Sequence, residues 1–200
     1  MVSRETSARL SQFAALVRKW NPKINLVSPK TLDDLEARHI ADSQQVFEFS
    51  GVTGGHWVDL GSGGGFPGLV VAICAAEKAP DLKLTLVESD QRKSAFLMTA
   101  ARELGLQVQV LAQRIEAVPP LQADIISARA LAPLTDLLWM TERHLASGGI
   151  AIFPKGERHA IEVEEAQKTW RFDMEMAQSC TEDSARLLKL RNIQRGRAEP

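Results

Sequence analysis

The run Val58-Asp59-Leu60-Gly61-Ser62-Gly63-Gly64-Gly65-Phe66-Pro67-Gly68 concentrates the residue types that could hold a ligand. It follows a short apolar strand pattern and precedes a strongly apolar helical one. Glycines there let the backbone turn sharply and come close to a bound molecule. Free N–H groups at a helix start favour a negative or strongly polar group. A second acid, Glu88, closes the apolar run that ends Leu86-Val87, where a carboxylate can accept hydrogen bonds from both ribose hydroxyls of an adenosine. Arg129 directly follows another apolar run and suits pairing with a carboxylate or a phosphate. These residues point to an adenosine-containing cofactor.

Two cofactor classes fit. Gly63 to Gly68 formally satisfies G-x-G-x-x-G, the fingerprint of dinucleotide binding. Against this, the first glycine after the strand is Gly61, which sets a G-x-G-x-G register preceded by Asp59. Pro67 would also remove an N–H from a pyrophosphate platform. Glu88 is compatible with either class.

The positioning elements follow from periodicity. Leu10, Phe13, Ala14, Val17 and Trp20 recur at helical steps, with a stop expected at Asn21-Pro22. A second helix is expected from Thr31 to about Phe49, capped by Thr31 and favoured at its start by Asp33 and Asp34. From His56 onward, short apolar strands alternate with helical patterns. The strands are Trp57–Leu60, Lys83–Val87, Val108–Leu111, Ile125–Ser127 and Ile150–Phe153. This alternation predicts an α/β fold with a mostly parallel sheet and helices on both faces. Phe172–Ala177 and Ala185–Ile193 predict a closing antiparallel hairpin, for seven strands in all. The expected organisation is an N-terminal helical appendage over residues 1–50 and one main domain over 51–200. Loops after parallel strands place Gly61, Glu88 and Arg129 at the carboxyl edge, where ligands bind in such sheets.

With 200 residues, 44% apolar and 24% charged, the chain can build one sizeable core. No apolar run approaches the length of a membrane span, and the N-terminus does not read as a secretory signal. Two cysteines, Cys74 and Cys180, supply neither a disulfide framework nor a metal site. A cytoplasmic location is the expectation. The net charge of −1 hides an asymmetry: residues 1–30 carry +5 and 186–200 carry +4, leaving −10 for residues 31–185. Basic ends of this kind can mark a polyanion-binding surface, and both are expected on one side of the fold.

Asn25-Leu26, Arg38-His39-Ile40-Ala41-Asp42-Ser43, the Asp59–Gly68 loop, Ile126-Ser127-Ala128-Arg129-Ala130 and Pro154-Lys155-Gly156 occur in that order. Together they resemble the bacterial 16S ribosomal RNA guanine-N7 methyltransferases, the glucose-inhibited division protein B family, over roughly residues 10–195. The resemblance implies a class I methyltransferase fold, Rossmann-like, with S-adenosyl-L-methionine as cofactor. It implies cofactor binding by Gly61, Gly63, Phe66, Glu88, Ile115, Glu116 and Arg129. It implies methyl transfer to N7 of a guanine in 16S ribosomal RNA or the small ribosomal subunit; a monomer is the separate expectation.

Conventional catalytic motifs are absent: there is no H-E-x-x-H, no G-x-S-x-G and no usefully spaced Cys/His pair. Transfer to guanine N7 needs none, because N7 carries a lone pair and no proton. Placement of the base is then the enzyme's task, with Arg129 and Lys155 as positioning candidates. Lys23, Arg38, His39, Arg92, Lys93 and Lys155 are the candidate RNA contacts. Alternatives are a methyltransferase of the same fold acting on a small molecule or protein, an NAD-dependent oxidoreductase, and a nucleotide-binding module without chemistry.

Overall fold

The computed structural model describes residues 2–196. Its centre is a seven-stranded sheet in the order β3-β2-β1-β4-β5-β7-β6. The strands are β1 (Gly55–Leu60), β2 (Leu82–Val87), β3 (Val108–Leu111), β4 (Ala123–Ser127), β5 (Leu145–Lys155), β6 (Trp170–Gln178) and β7 (Arg186–Arg195). The first five pair in parallel. The last two form the expected antiparallel hairpin against β5. Strand order reverses direction at β1, between β2 and β4, which opens a crevice at their carboxyl ends.

Six helices flank the sheet: α1 (Arg4–Ile24), α2 (Ala41–Ser50), α3 (Gly68–Lys78), α4 (Gln91–Glu103), α5 (Leu134–His144) and α6 (His159–Gln167). One core lies between the sheet and α1 to α4, around Phe13, Val17, Leu69, Ile73 and Phe96. The other lies under α5, α6 and the hairpin, around Leu60, Ile126, Leu138, Phe153 and Trp170. The apolar face expected on the first helix, from Leu10 through Val17, therefore buries into the same core as α3 and α4.

Two N-terminal expectations are corrected. The first helix does not stop at Asn21-Pro22 but continues to Ile24, ending where Asn25 turns left-handed. Pro22 lies in the last turn, where its missing donor costs one hydrogen bond. The Asn21 side chain instead accepts the Val27 N–H at 2.9 Å and folds the chain back. Nor does one helix run from Thr31. Residues Pro29–Thr31 form a 3₁₀ turn, Leu35–Ile40 form a π-helical turn, and regular α-helix begins only at Ala41. Thr31 instead meets the His39 ring at 2.8 Å.

Candidate functional site

The glycine loop, the ends of β2 and β4, and the turn after β3 enclose a cavity of about 510 Å³. That is within the range of small-molecule sites. Gly61, Gly63, Phe66, Glu88, Ile115, Glu116 and Arg129 all line it, as do Leu26, Lys93, Leu131 and Met140. The structure thus gathers every residue expected to hold the cofactor around one space.

Local geometry explains the gathering. Gly63 has φ of +53°, a left-handed conformation that suits glycine, and an added Cβ there would meet almost nothing. Its N–H donates to Glu88 Oε2 at 2.8 Å, while Glu88 Oε1 accepts the Asp90 N–H at 2.8 Å. Both carboxylate oxygens are thereby oriented, and each keeps acceptor capacity. Gly68 sits where a Cβ would be 2.5 Å from Leu86 and 2.7 Å from Asp59, so only glycine lets α3 close on the strands.

Asp59 is fully buried below the loop. Its Oδ1 accepts from Ser127 Oγ at 2.6 Å, and Oδ2 accepts the Gly68 N–H at 3.2 Å. Ser127 Oγ accepts in turn from Trp57 Nε1 at 2.8 Å. Burial pushes the Asp59 carboxyl up to about 6, against the opposing pull of these hydrogen bonds.

This arrangement corrects the expectation of free donors at the helix start. The Gly68 N–H is given to Asp59, the Leu69 N–H to Gly65 O, and the Val71 N–H to Pro67 O. A pyrophosphate would find those donors occupied, and a buried carboxyl behind them. The remaining charged lining suits a different ligand. Glu88 and Glu116 can address an adenosine, and Arg129 can address a carboxylate, which fits S-adenosyl-L-methionine better than a dinucleotide.

The wall near Ile115 is braced by two residues that the sequence reading left out of the site. Ile115–Ala117 form a 3₁₀ turn, and the carbonyl of Ile115 meets His144 Nε2 at 3.1 Å. Arg143 donates to the Val118 carbonyl at 3.2 Å from Nη2. Both come from the last turn of α5, and burial holds the His144 pKa below its ordinary value. Their only signal in the sequence was basic character at a helix C-terminus.

Arg129 separates this cavity from a second one of about 460 Å³, which also contains Asp42, Pro154, Lys155, Glu162, Ser179, Glu182 and Arg186. Its guanidinium carbon lies 5.2 Å from the Phe66 ring centroid, and Nη1 lies 3.9 Å from Asp42 Oδ2. Burial lowers its pKa, partly offset by Asp42 and Asp59.

The candidate RNA contacts divide. Lys23 and Arg92 are exposed, and Lys93 lies at the first cavity. Arg38 is half exposed and faces Glu182 at 3.4 Å, on the rim of the second cavity. Two others are corrected. The Lys155 ammonium is almost fully covered, donating to Glu162 Oε2 at 2.8 Å and to the Ala132 carbonyl at 2.9 Å. It is already neutralised and cannot be counted as a free cation. His39 packs 5.3 Å from Phe66, and burial together with Arg129 and Arg38 pushes its pKa down to about 4. It is neutral near pH 7 and offers no charge to phosphate.

The basic C-terminal stretch also departs from expectation. Arg186 pairs in register with Lys155 at the carboxyl edge, but β7 then runs away from that edge. Lys189 faces Glu175 at 3.4 Å, and Arg195 pairs with Glu142 at 2.7 Å while lying 3.6 Å over Trp139. Arg197 and Glu199 lie outside the described residues. Among the described residues, Lys189 and Arg195 of the basic C-terminal stretch are thus held by acids. Among the described residues no cluster of His, Cys, Asp or Glu could hold a metal ion.

A family model described as GidB, rRNA small subunit methyltransferase G, matches residues 6–190. The chain belongs to this family. Relatives named ribosomal RNA small subunit methyltransferase G agree along almost the whole chain. That of Ruegeria sp. strain TM1040 is 55% identical, covering 97% of this chain and 94% of the relative. That of Paramagnetospirillum magneticum is 47% identical, covering 100% and 95%. The fold recurs in a SAM-dependent methyltransferase from Aquifex aeolicus, with a TM-score of 0.60 at 16% identity over 81% of this chain and 95% of that one. It recurs also in M. jannaschii TYW2 in complex with AdoMet, with a TM-score of 0.56 at 14% identity over 79% and 76%. The class I methyltransferase fold expected from the sequence is therefore the fold of this GidB-family chain.

Proposed function

We propose that the protein transfers a methyl group from S-adenosyl-L-methionine to N7 of a guanine in 16S ribosomal RNA. The observation that carries this reading is the cavity whose lining brings together Glu88, oriented by the Gly63 and Asp90 N–H groups, and the half-buried Arg129. The family's description as an rRNA small subunit methyltransferase supports the RNA substrate class. When bound, the cofactor supplies an activated methyl group on a sulfonium.

The chain's own residues bind and orient. Glu88 accepts from the ribose hydroxyls, Ile115 covers the adenine, and Glu116 addresses its polar edge. Gly61 and Gly63 allow close approach of the backbone, and Phe66 and Arg129 close the opposite end. No residue has to remove a proton from N7, which carries none; His39, beside Phe66, is half-buried and neutral near pH 7. Rate enhancement then comes from holding N7 in line with the methyl carbon at about 3–3.5 Å. The base must be unstacked to reach it, which RNA loops allow at low cost.

We further infer a cytoplasmic monomer in which residues 1–50 act as an appendage to a domain over 51–200. Among the described residues, no helix is long and apolar enough to cross a membrane, and Cys74 and Cys180 are free thiols. Calorimetry tests the cofactor assignment: S-adenosylhomocysteine should bind and NAD should not. Binding of NAD without S-adenosylhomocysteine would overturn it in favour of the oxidoreductase alternative.

A further inference from the structure

We propose that Asp42, in the second cavity, reads the N1–H and 2-amino edge of the target guanine. The inference rests on the guanine-N7 reading above and assigns the pocket which that reading needs. The second cavity shares the wall Arg129, Ala130 and Leu131 with the first, so a base presented to the cofactor from this side has its far edge among the residues of the second.

The order of groups matches the perimeter of guanine. Going round the base from N7 one meets O6, an acceptor, and then N1–H and the 2-amino group, two adjacent donors. Going from the first cavity into the second one meets the Arg129 guanidinium, a donor, and then the Asp42 carboxylate, an acceptor. Adenine reverses this pattern, with a donor at position 6 and a bare acceptor at N1, and would set its lone pair against the carboxylate.

Asp42 is also the carboxylate prepared for such a role. The cavity contains two others. Glu162 is taken by Lys155 and by the Leu134 N–H at 2.9 Å, and Glu182 faces Arg38. Asp42 Oδ1 is fixed by the hydroxyls of Thr181 and Ser179, from the turn between β6 and β7. Among the described residues its Oδ2 meets only Arg129, at 3.9 Å, beyond hydrogen-bond reach, so its lone pairs are open to donors in the cavity. The π-helical turn at Leu35–Ile40 leads into α2, whose second residue is Asp42, and such turns are frequent at functional sites.

The test compares small subunits carrying the natural target guanine with reconstituted subunits carrying inosine there, which lacks only the 2-amino group. Wild-type kcat/KM should fall at least about tenfold on inosine, as for a site left with an unpaired buried acceptor. Asp42→Asn should lose at least about tenfold on guanine, and its guanine-to-inosine ratio should collapse towards one. Its affinity for S-adenosylhomocysteine should stay within about twofold of wild type. Thr181→Val separates reading from fastening. If Asp42 only anchors the Ser179–Thr181 turn, both variants lower Tm and slow both substrates alike, with the wild-type ratio retained, and the proposal is overturned. Equal wild-type rates on guanine and inosine overturn it too, while leaving the guanine-N7 reading intact. A wild type inert on both overturns that reading and this inference together.

Discussion

Glu88 Oε2 accepts the Gly63 N–H at 2.8 Å, which ties the acid after β2 to the loop after β1. Two segments 25 residues apart are thereby held as one structural unit. Glu88→Ala should remove both the ribose acceptor and the brace on the loop. Titration with S-adenosylhomocysteine should show a loss of about 10- to 100-fold in affinity, the range for hydrogen bonds to a charged group. A loss below twofold would show that neither function resides in Glu88.

Gly68 lies 2.7 Å, measured from an added Cβ, from Asp59 Oδ2 and 2.5 Å from Leu86. Gly68→Ala should therefore force α3 off the sheet and cost about 1–3 kcal/mol, as overpacking does. Gly54→Ala, with nothing within 4 Å of the added methyl, is the control and should leave stability within about 0.5 kcal/mol. Urea midpoints of the two variants check this.

Asp59 and His39 should pull the pH dependence of stability in opposite directions. Asp59, raised to about 6, binds a proton more tightly folded than unfolded, so its contribution falls as pH rises from about 4 to 6. Two pH units there correspond to about 3 kcal/mol. His39, lowered to about 4, binds its proton more weakly folded, so its contribution rises between pH 4 and 6.5 and is lost on acidification. Asp59→Asn should make unfolding free energy rise more steeply with pH across 4–6 than in wild type, and His39→Asn less steeply. Denaturant unfolding at pH 4, 5, 6 and 7 gives the slopes; parallel profiles for all three proteins would contradict both assignments.

Lys155 and Arg38 should separate structural from RNA-binding charge. Lys155→Ala strands Glu162 in a covered site and should cost about 1–3 kcal/mol of stability, without changing the salt slope of RNA binding. Arg38→Ala should leave stability nearly unchanged and reduce the slope by about one unit if it meets a phosphate. Filter binding across a salt series reads both, and a flattened slope for Lys155→Ala would return that residue to the interface.

The parts legible in the sequence were those set by local pattern. Strands β1 to β4 are short and rich in apolar residues, and the glycine loop announces itself through residues adjacent in the chain. Glu88 follows from its place at a strand end. What escaped was decided by partners distant in sequence. Lys155 reads as a free cation until Glu162 and Ala132 are placed beside it. Arg195 looks like part of a basic tail until Glu142 and Trp139 are found to hold it. The π-helical turn over Leu35–Ile40 has no periodic signature, and within it His39 packs against Phe66 and Thr31. Pro22 overstated its power to end a helix, since in a last turn it costs little.

The central claim is best tested by incubating the protein with methyl-labelled S-adenosyl-L-methionine and either small ribosomal subunits, naked 16S RNA or bulk protein, then digesting the RNA to nucleosides. The account predicts label in RNA, recovered as N7-methylguanosine. Label confined to protein, or in RNA at another atom, would contradict it.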